Sequence, residues 1–148
     1  MSILRYLGIR YGYYPSSDPE QAWACDSAMD ATKDAIDVIA KLYWVKDAEL
    51  KEKMTKDFIS GPYPQFLAAL NKRLETSRQH QFLVGDKLST ADFLLSAFIF
   101  SLIYNGLKAA EWDFLTEIFE KYEHLVNYAE HKKELFKDYL ETRVKCPR

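Results

Sequence analysis

The sequence predicts an all-α helical bundle of five to six helices, on three observations. Apolar residues recur at intervals of three and four along most of the chain, the period of a helix that buries one face. Gly and Pro number only five each and fall at a few boundaries: Gly8, Gly12 and Pro15 near the start, Gly61, Pro62 and Pro64 in the middle, Gly85 and Gly106 around the most apolar stretch. No pair of alternating β-branched runs is closed by a hairpin turn, so nothing reads as a sheet. There is no internal repeat and no low-complexity tract.

The first predicted helix is Ser2–Tyr11, with Ile3, Leu4, Leu7 and Tyr11 on one side. Gly12 to Ser17 reads as a linker. Asp18-Pro19 opens the second helix, with Asp as N-cap, Pro at the first helical position and Glu20 near the positive end of the helix. This helix runs to Tyr43 or Trp44 and carries two apolar stripes. One holds Cys25, Met29, Thr32, Ile36, Ile39 and Tyr43; the other holds the smaller Ala24, Ala28, Ala31, Ala35, Val38 and Leu42. Two stripes exceed what one core covers. Either the helix is packed on both sides within the domain, or its small-residue stripe meets a second subunit.

A third helix begins near Asp47, with Leu50, Met54 and Phe58 on one face. It is interrupted at Ser60-Gly61-Pro62-Tyr63-Pro64, because Pro cannot continue a hydrogen-bond ladder and restricts the residue before it. The pattern resumes over Pro64–Ser77 with Phe66, Leu67, Leu70 and Leu74 inward. Gly85-Asp86 then marks a turn. Ser89-Thr90-Ala91-Asp92 is a capping box at the head of the most apolar run, Phe93–Tyr104, and Leu88 and Phe93 stand where a hydrophobic staple would clamp them. That run is the predicted buried core helix, too short for the roughly twenty apolar residues of a membrane span. The last third reads as Trp112–Tyr122 and Leu125–Thr142, followed by a loose tail.

The chain's 148 residues make one ordinary domain, and its 48 % apolar and 15 % aromatic content suffices for a core. A net charge of −2 provides no basic field for nucleic acid. Two cysteines, Cys25 and Cys146, are too few for a disulfide framework and fit free thiols in a reducing compartment. No signal peptide is evident, so a cytoplasmic location is expected. His80, His124 and His131 lack ligand spacing, so no metal site is expected. Cys25 reads as a small core residue; Cys146, between Lys145 and Arg148, could have a lowered pKa in the tail.

The string Phe82-Leu83-Val84-Gly85-Asp86-Lys87-Leu88-Ser89-Thr90-Ala91-Asp92-Phe93 resembles the signature that opens the core helix of the C-terminal domain of cytosolic glutathione transferases. Ser2 to Gly8 looks like the last helix of that family's thioredoxin-like domain. Gln21–Tyr43 is similar to its interface helix, and Tyr122–Arg143 to its terminal helices. The resemblance implies that residues 1–14 are the end of the thioredoxin-like domain with its linker, and that 15–148 form the helical domain.

In that family the catalytic Tyr, Ser or Cys and the Gln/Glu-Ser clamp on glutathione precede the point matched by Met1. The resemblance therefore implies no catalytic residue here, and no cofactor beyond glutathione in a full-length enzyme. By the same resemblance Asp30 lies near glutathione bound in a neighbouring subunit, and Tyr13, Trp23 and Ser27 contribute to an electrophile pocket. Alternatively, Asp26, Asp30, Asp34 and Asp37 are the solvated edge of a helix, paired with Lys33 and Lys41. Two functions stand. One is a non-catalytic interaction or structural module, with a protein partner or a homodimer through Gln21–Tyr43. The other is the C-terminal part of a transferase that conjugates glutathione to electrophiles.

Overall fold

In the computed structural model, which describes residues 1–77 and 81–144, every regular element is helical. Eight α-helices occur among the described residues: α1 Ser2–Tyr11, α2 Pro19–Trp44, α3 Ala48–Ser60, α4 Pro62–Thr76, α5 Thr90–Phe98, α6 Asp113–Phe119, α7 Glu123–Leu135 and α8 Lys137–Thr142. A π-helical turn, Ile99–Ile103, extends α5, and a 3₁₀ turn, Ala110–Trp112, precedes α6. The terminal region is broken more often than its periodicity shows. Phe136, at φ −103° and ψ 18°, separates α7 from α8. The Phe93–Tyr104 run likewise is not one regular helix, since it widens to π geometry after Phe98.

Local chemistry sets the boundaries. Gly12 ends α1 in the left-handed region, at φ 77°, where a side chain would be strained. The Asp18 carboxylate accepts from the Glu20 and Gln21 amides, each at 3.0 Å, which also holds it below the usual carboxylate range. Asp47 caps α3 through the Leu50 amide at 2.8 Å. Pro62 sits at the first turn of α4, where its missing N–H has no partner to lose.

The core lies around α5, which packs on α2, and its π turn, which packs on α6, while α4 packs on α7. Cys25, Met29 and Leu42 from α2, Leu67 and Leu74 from α4, Leu95, Ile99 and Ile103 from the central run, and Leu125 from α7 are all buried there.

The start of α5 is the most densely bonded point. Asp92 is fully buried and accepts four bonds: from the Ser89 amide at 2.9 Å, the Ser89 hydroxyl at 2.8 Å, the Leu83 amide at 3.0 Å and the Tyr128 hydroxyl at 3.0 Å. Lys132, equally buried, stands 3.8 Å from the same carboxylate and donates to the Gln81 carbonyl at 2.7 Å. Its ammonium lies over the rings of Phe82 at 4.3 Å and Tyr128 at 4.8 Å. Burial pushes the Tyr128 phenol up, and the Asp92 charge adds to this. Burial pushes Lys132 down against the pull of Asp92. Leu88 and Phe93 are both half-buried, and the Phe93 ring meets Tyr13 edge-on at 5.0 Å and Phe136 at 5.8 Å.

Helix α1 is held differently. Of Ile3, Leu4, Leu7 and Tyr11, which share one side, only Leu4 is half-buried against the core, and the other three are exposed. The helix touches the bundle through buried Gly8, whose backbone lies against Thr90 and Tyr14. A polar tie adds to this: the Arg5 guanidinium donates twice to one Asp26 oxygen, at 2.9 and 3.1 Å, and the Tyr14 hydroxyl donates to the other at 3.0 Å.

Candidate functional site

The second half of α2 turns Ile36, Ile39, Ala40, Tyr43 and Trp44 toward the π turn and the 3₁₀ turn, and a cavity of about 360 Å³ lies between them. The three-and-four spacing puts these α2 residues on one side of the helix. Ser101, Leu102 and Asn105 form the opposite wall, and Trp112 and Leu115 close the far end. Ile39, Trp112 and Leu115 are buried, whereas Tyr43 and Trp44, packed edge-to-face at 5.2 Å, stand exposed. The volume falls at the lower end of the roughly 300–1,000 Å³ of small-molecule sites.

Three polar side chains of the walls, Lys108, Asn105 and Ser101, are engaged within the fold. Lys108 lines the cavity, but its ammonium donates to Asp113 at 2.6 Å, to the Thr116 hydroxyl at 3.1 Å and to the Trp112 carbonyl at 3.5 Å. Asn105 donates to the Ser101 carbonyl at 3.2 Å and accepts from the Leu107 amide at 3.0 Å. The Ser101 hydroxyl accepts from Arg143 at 3.3 Å. A guest would meet mainly apolar and aromatic surface, which suits a neutral, flat molecule.

Two other hollows flank it. A groove of about 460 Å³ runs between α2 and α4, where Ala28, Ala31, Ala35 and Val38 face Gln65, Ala69 and Arg73. A wide, open depression lies under α7 and α8 and carries charges of both signs, including Glu120, Glu130, Lys133 and Glu134. There the Tyr104 phenol is pushed up, first by desolvation and then by Glu120 and Glu130.

The residues singled out in the sequence lie apart from the cavity. Tyr13 lies against Phe93, and its carbonyl accepts from the Thr90 amide at 2.9 Å. Trp23 is 71 % exposed. Ser27 borders the α2–α4 groove, and its hydroxyl accepts from Arg73 at 3.0 Å. Asp30 is exposed on α2, while Asp26 is taken up by Arg5 and Tyr14. Lys33 pairs with Asp37 one turn on. Cys25 is fully buried with its sulfur 3.1 Å from the Thr90 hydroxyl, a packed thiol closed off from solvent. His80 and Cys146 lie outside the described residues. No group of acidic, His and Cys side chains suited to a metal occurs among the described residues. Sequence reasoning missed the cavity's aromatic residues. The Tyr43-Trp44 pair at the end of an amphipathic helix was the available signal, but Trp112 and Leu102 join it only through the tertiary fold.

The all-helical bundle headed by a buried Ser-x-x-Asp box is the architecture that the resemblance in the sequence implies. The chain belongs to the glutathione S-transferase family: the family model described as glutathione S-transferase, C-terminal domain, matches residues 33–143. Glutathione S-transferase 4 of Caenorhabditis elegans is 33 % identical over 147 residues, covering 97 % of this chain and 67 % of that protein. Two solved structures share the fold. Prostaglandin synthase D of Nilaparvata lugens superposes with a TM-score of 0.76 at 21 % identity, over 97 % of this chain and 67 % of that one. NaGST-2 superposes with a TM-score of 0.75 at 24 % identity, over 98 % and 68 %.

Proposed function

We propose that this chain is a non-catalytic helical domain that binds rather than reacts, taking a neutral aromatic molecule in the cavity beside α2 and presenting surfaces to other polypeptides. The observation that carries this is the cavity itself, whose walls are largely aromatic and aliphatic and whose Lys108, Asn105 and Ser101 side chains are bonded within the fold. Such a hollow gains from burying apolar surface, at roughly 25 cal/mol per Å². Cys25, a buried free thiol, fits a reducing compartment such as the cytoplasm, and no helix among the described residues is long and apolar enough to cross a membrane.

The test is calorimetry on the whole chain. 1-Naphthol, a neutral flat probe, is expected to bind with a Kd on the order of 100 µM. Filling the hollow with Ala40→Trp abolishes that binding. Glutathione alone, at millimolar concentration, is expected to give no heat. Saturable binding of glutathione to this chain overturns the non-catalytic reading and favours a conjugating enzyme.

A second reading rests on α1. Ile3, Tyr6, Leu7, Ile9 and Tyr11 are all exposed on a single helix, an apolar surface that favours cover by a further polypeptide. In this reading a thioredoxin-like unit docks there and binds glutathione, so that the helical domain supplies the electrophile's wall. The small-residue groove between α2 and α4 would then take a second copy of the chain, with Asp30 beside the partner's glutathione. Light scattering after size-exclusion chromatography decides the last point: a mass twice that of the chain supports the homodimer, and a monomer at tens of micromolar counts against it.

A further inference from the structure

A π turn is an uncommon element, and this one forms the wall of the cavity. The Tyr104 amide reaches back five residues to the Ile99 carbonyl, at 2.8 Å. Because the helix ends here, its last carbonyls have no helical partners. Three side chains take them. Asn105 donates to the Ser101 carbonyl at 3.2 Å, and Thr116 donates to the Ile103 carbonyl at 2.9 Å. Arg143, from just beyond α8, donates to the Phe100 carbonyl at 2.6 Å and, with its other terminal nitrogen, to the Ser101 hydroxyl at 3.3 Å. Asn105 and Thr116 are near neighbours of the turn in the chain or its next helix. Arg143 is the one of the three supplied by the far end of the chain.

We propose that Arg143 is a positioning residue: its two-pronged grip holds the π turn open and thereby sets the shape of the apolar cavity, so that the end of the chain governs what the cavity admits. This rests on the reading of the cavity as a binding site. Ser101 and Asn105 border the cavity on one side and the depression beneath α8 on the other. Arg143 lines that depression and pulls on the shared wall from behind. A cation at the negative end of a helix is favourably placed, and the planar fork reaches two acceptors that a single ammonium cannot serve together. If the turn relaxed to α geometry, each residue after it would rotate by about 100°. Asn105 would then leave the cavity wall.

The experiment compares the whole chain with Arg143→Ala and Arg143→Lys, reading amide exchange by NMR and 1-naphthol affinity by calorimetry. Arg143→Ala should speed exchange of the Tyr104 amide about tenfold while amides of α4 keep their rates. The same variant should weaken 1-naphthol binding about fivefold. Arg143→Lys, which keeps the charge and one bond, should fall between the two and covers the case in which the alanine variant does not fold. Unchanged Tyr104 exchange in a folded variant overturns the clamp. Faster exchange with unchanged affinity overturns its link to the cavity, and the proposal with it. A wild-type chain that binds no 1-naphthol refutes the reading of the cavity as a site, and the Tyr104 exchange rate then decides the clamp by itself.

Discussion

The two ends of the Thr90 side chain's neighbourhood show two ways of fixing a helix. On one side α5 begins inside the molecule, where Asp92 gathers four donors and a buried lysine. On the other side α1 lies on the surface, held by the contact of Gly8, by half-buried Leu4 and by an ion pair about one-third exposed, with most of its apolar side chains in solvent. The first arrangement spends many bonds to define one geometry, because a partly satisfied buried network is worse than none. The second leaves a face available. The rigid point defines the core, and the apolar face of α1 is left to solvent.

Breaking the rigid point should have the largest effect. Asp92→Ala removes the acceptor of two backbone amides and the Tyr128 hydroxyl, and leaves Lys132 buried without its counter-charge. Removal of one member of a buried pair costs about 3–5 kcal/mol, a large share of the roughly 5–15 kcal/mol that a domain has. Urea unfolding should show the loss in full, and a change under about 1 kcal/mol would mean that the network is peripheral to stability. At α1 the strongest available change is Gly8→Ala. Its new Cβ would stand 2.3 Å from Thr90 Cγ2 and 3.0 Å from Tyr14 Cβ. Thr90 is buried and short, so it cannot swing aside. Overpacking of about 1–3 kcal/mol should outweigh the roughly 0.5–1 kcal/mol a helix gains when Gly becomes Ala. A more stable alanine variant would show that α1 shifts at no cost.

The difference between these regions also separates what the sequence discloses from what it conceals. Asp18, Asp47, Gly12 and the Ser89–Asp92 box act within one turn of chain, so the four boundaries they set were legible. The buried Lys132 was not, because a lysine between His131 and Lys133 reads as solvent-facing until Asp92 and Tyr128 are brought beside it. Leu135 and Tyr139 share a helical spacing in sequence, yet the chain bends between them at Phe136 and both are exposed. The π turn carries no residue signature, since Ile99–Ile103 would serve equally in an α-helix. The cavity needs α2, the π turn and the 3₁₀ turn together, so only the aromatic pair at the end of α2 could be seen in advance.

The smallest effect should come from the ion pair that steers α1. Arg5 and Asp26 are about one-third exposed, at 35 % and 32 %, so solvent screens them and the pair is worth about 0.2–1 kcal/mol. Arg5→Ala should therefore lower global stability by no more than that, and added salt should shrink the difference. Its local effect should be larger, because Arg5 and Tyr14 share the Asp26 carboxylate across the Gly12–Ser17 linker. Limited proteolysis in that linker should quicken in the variant while cleavage elsewhere does not. Tyr14 gives the same contact a pH limit. Desolvation, then the Asp26 hydrogen bond, raises its phenol above the ordinary value of 10.0. A raised phenol favours the folded state while it stays protonated, so this contribution is complete below pH about 10 and is lost as pH rises toward the folded pKa. Linker cleavage that accelerates between pH 7 and 9, before the phenol ionises, would show that α1 is held by something other than this carboxylate.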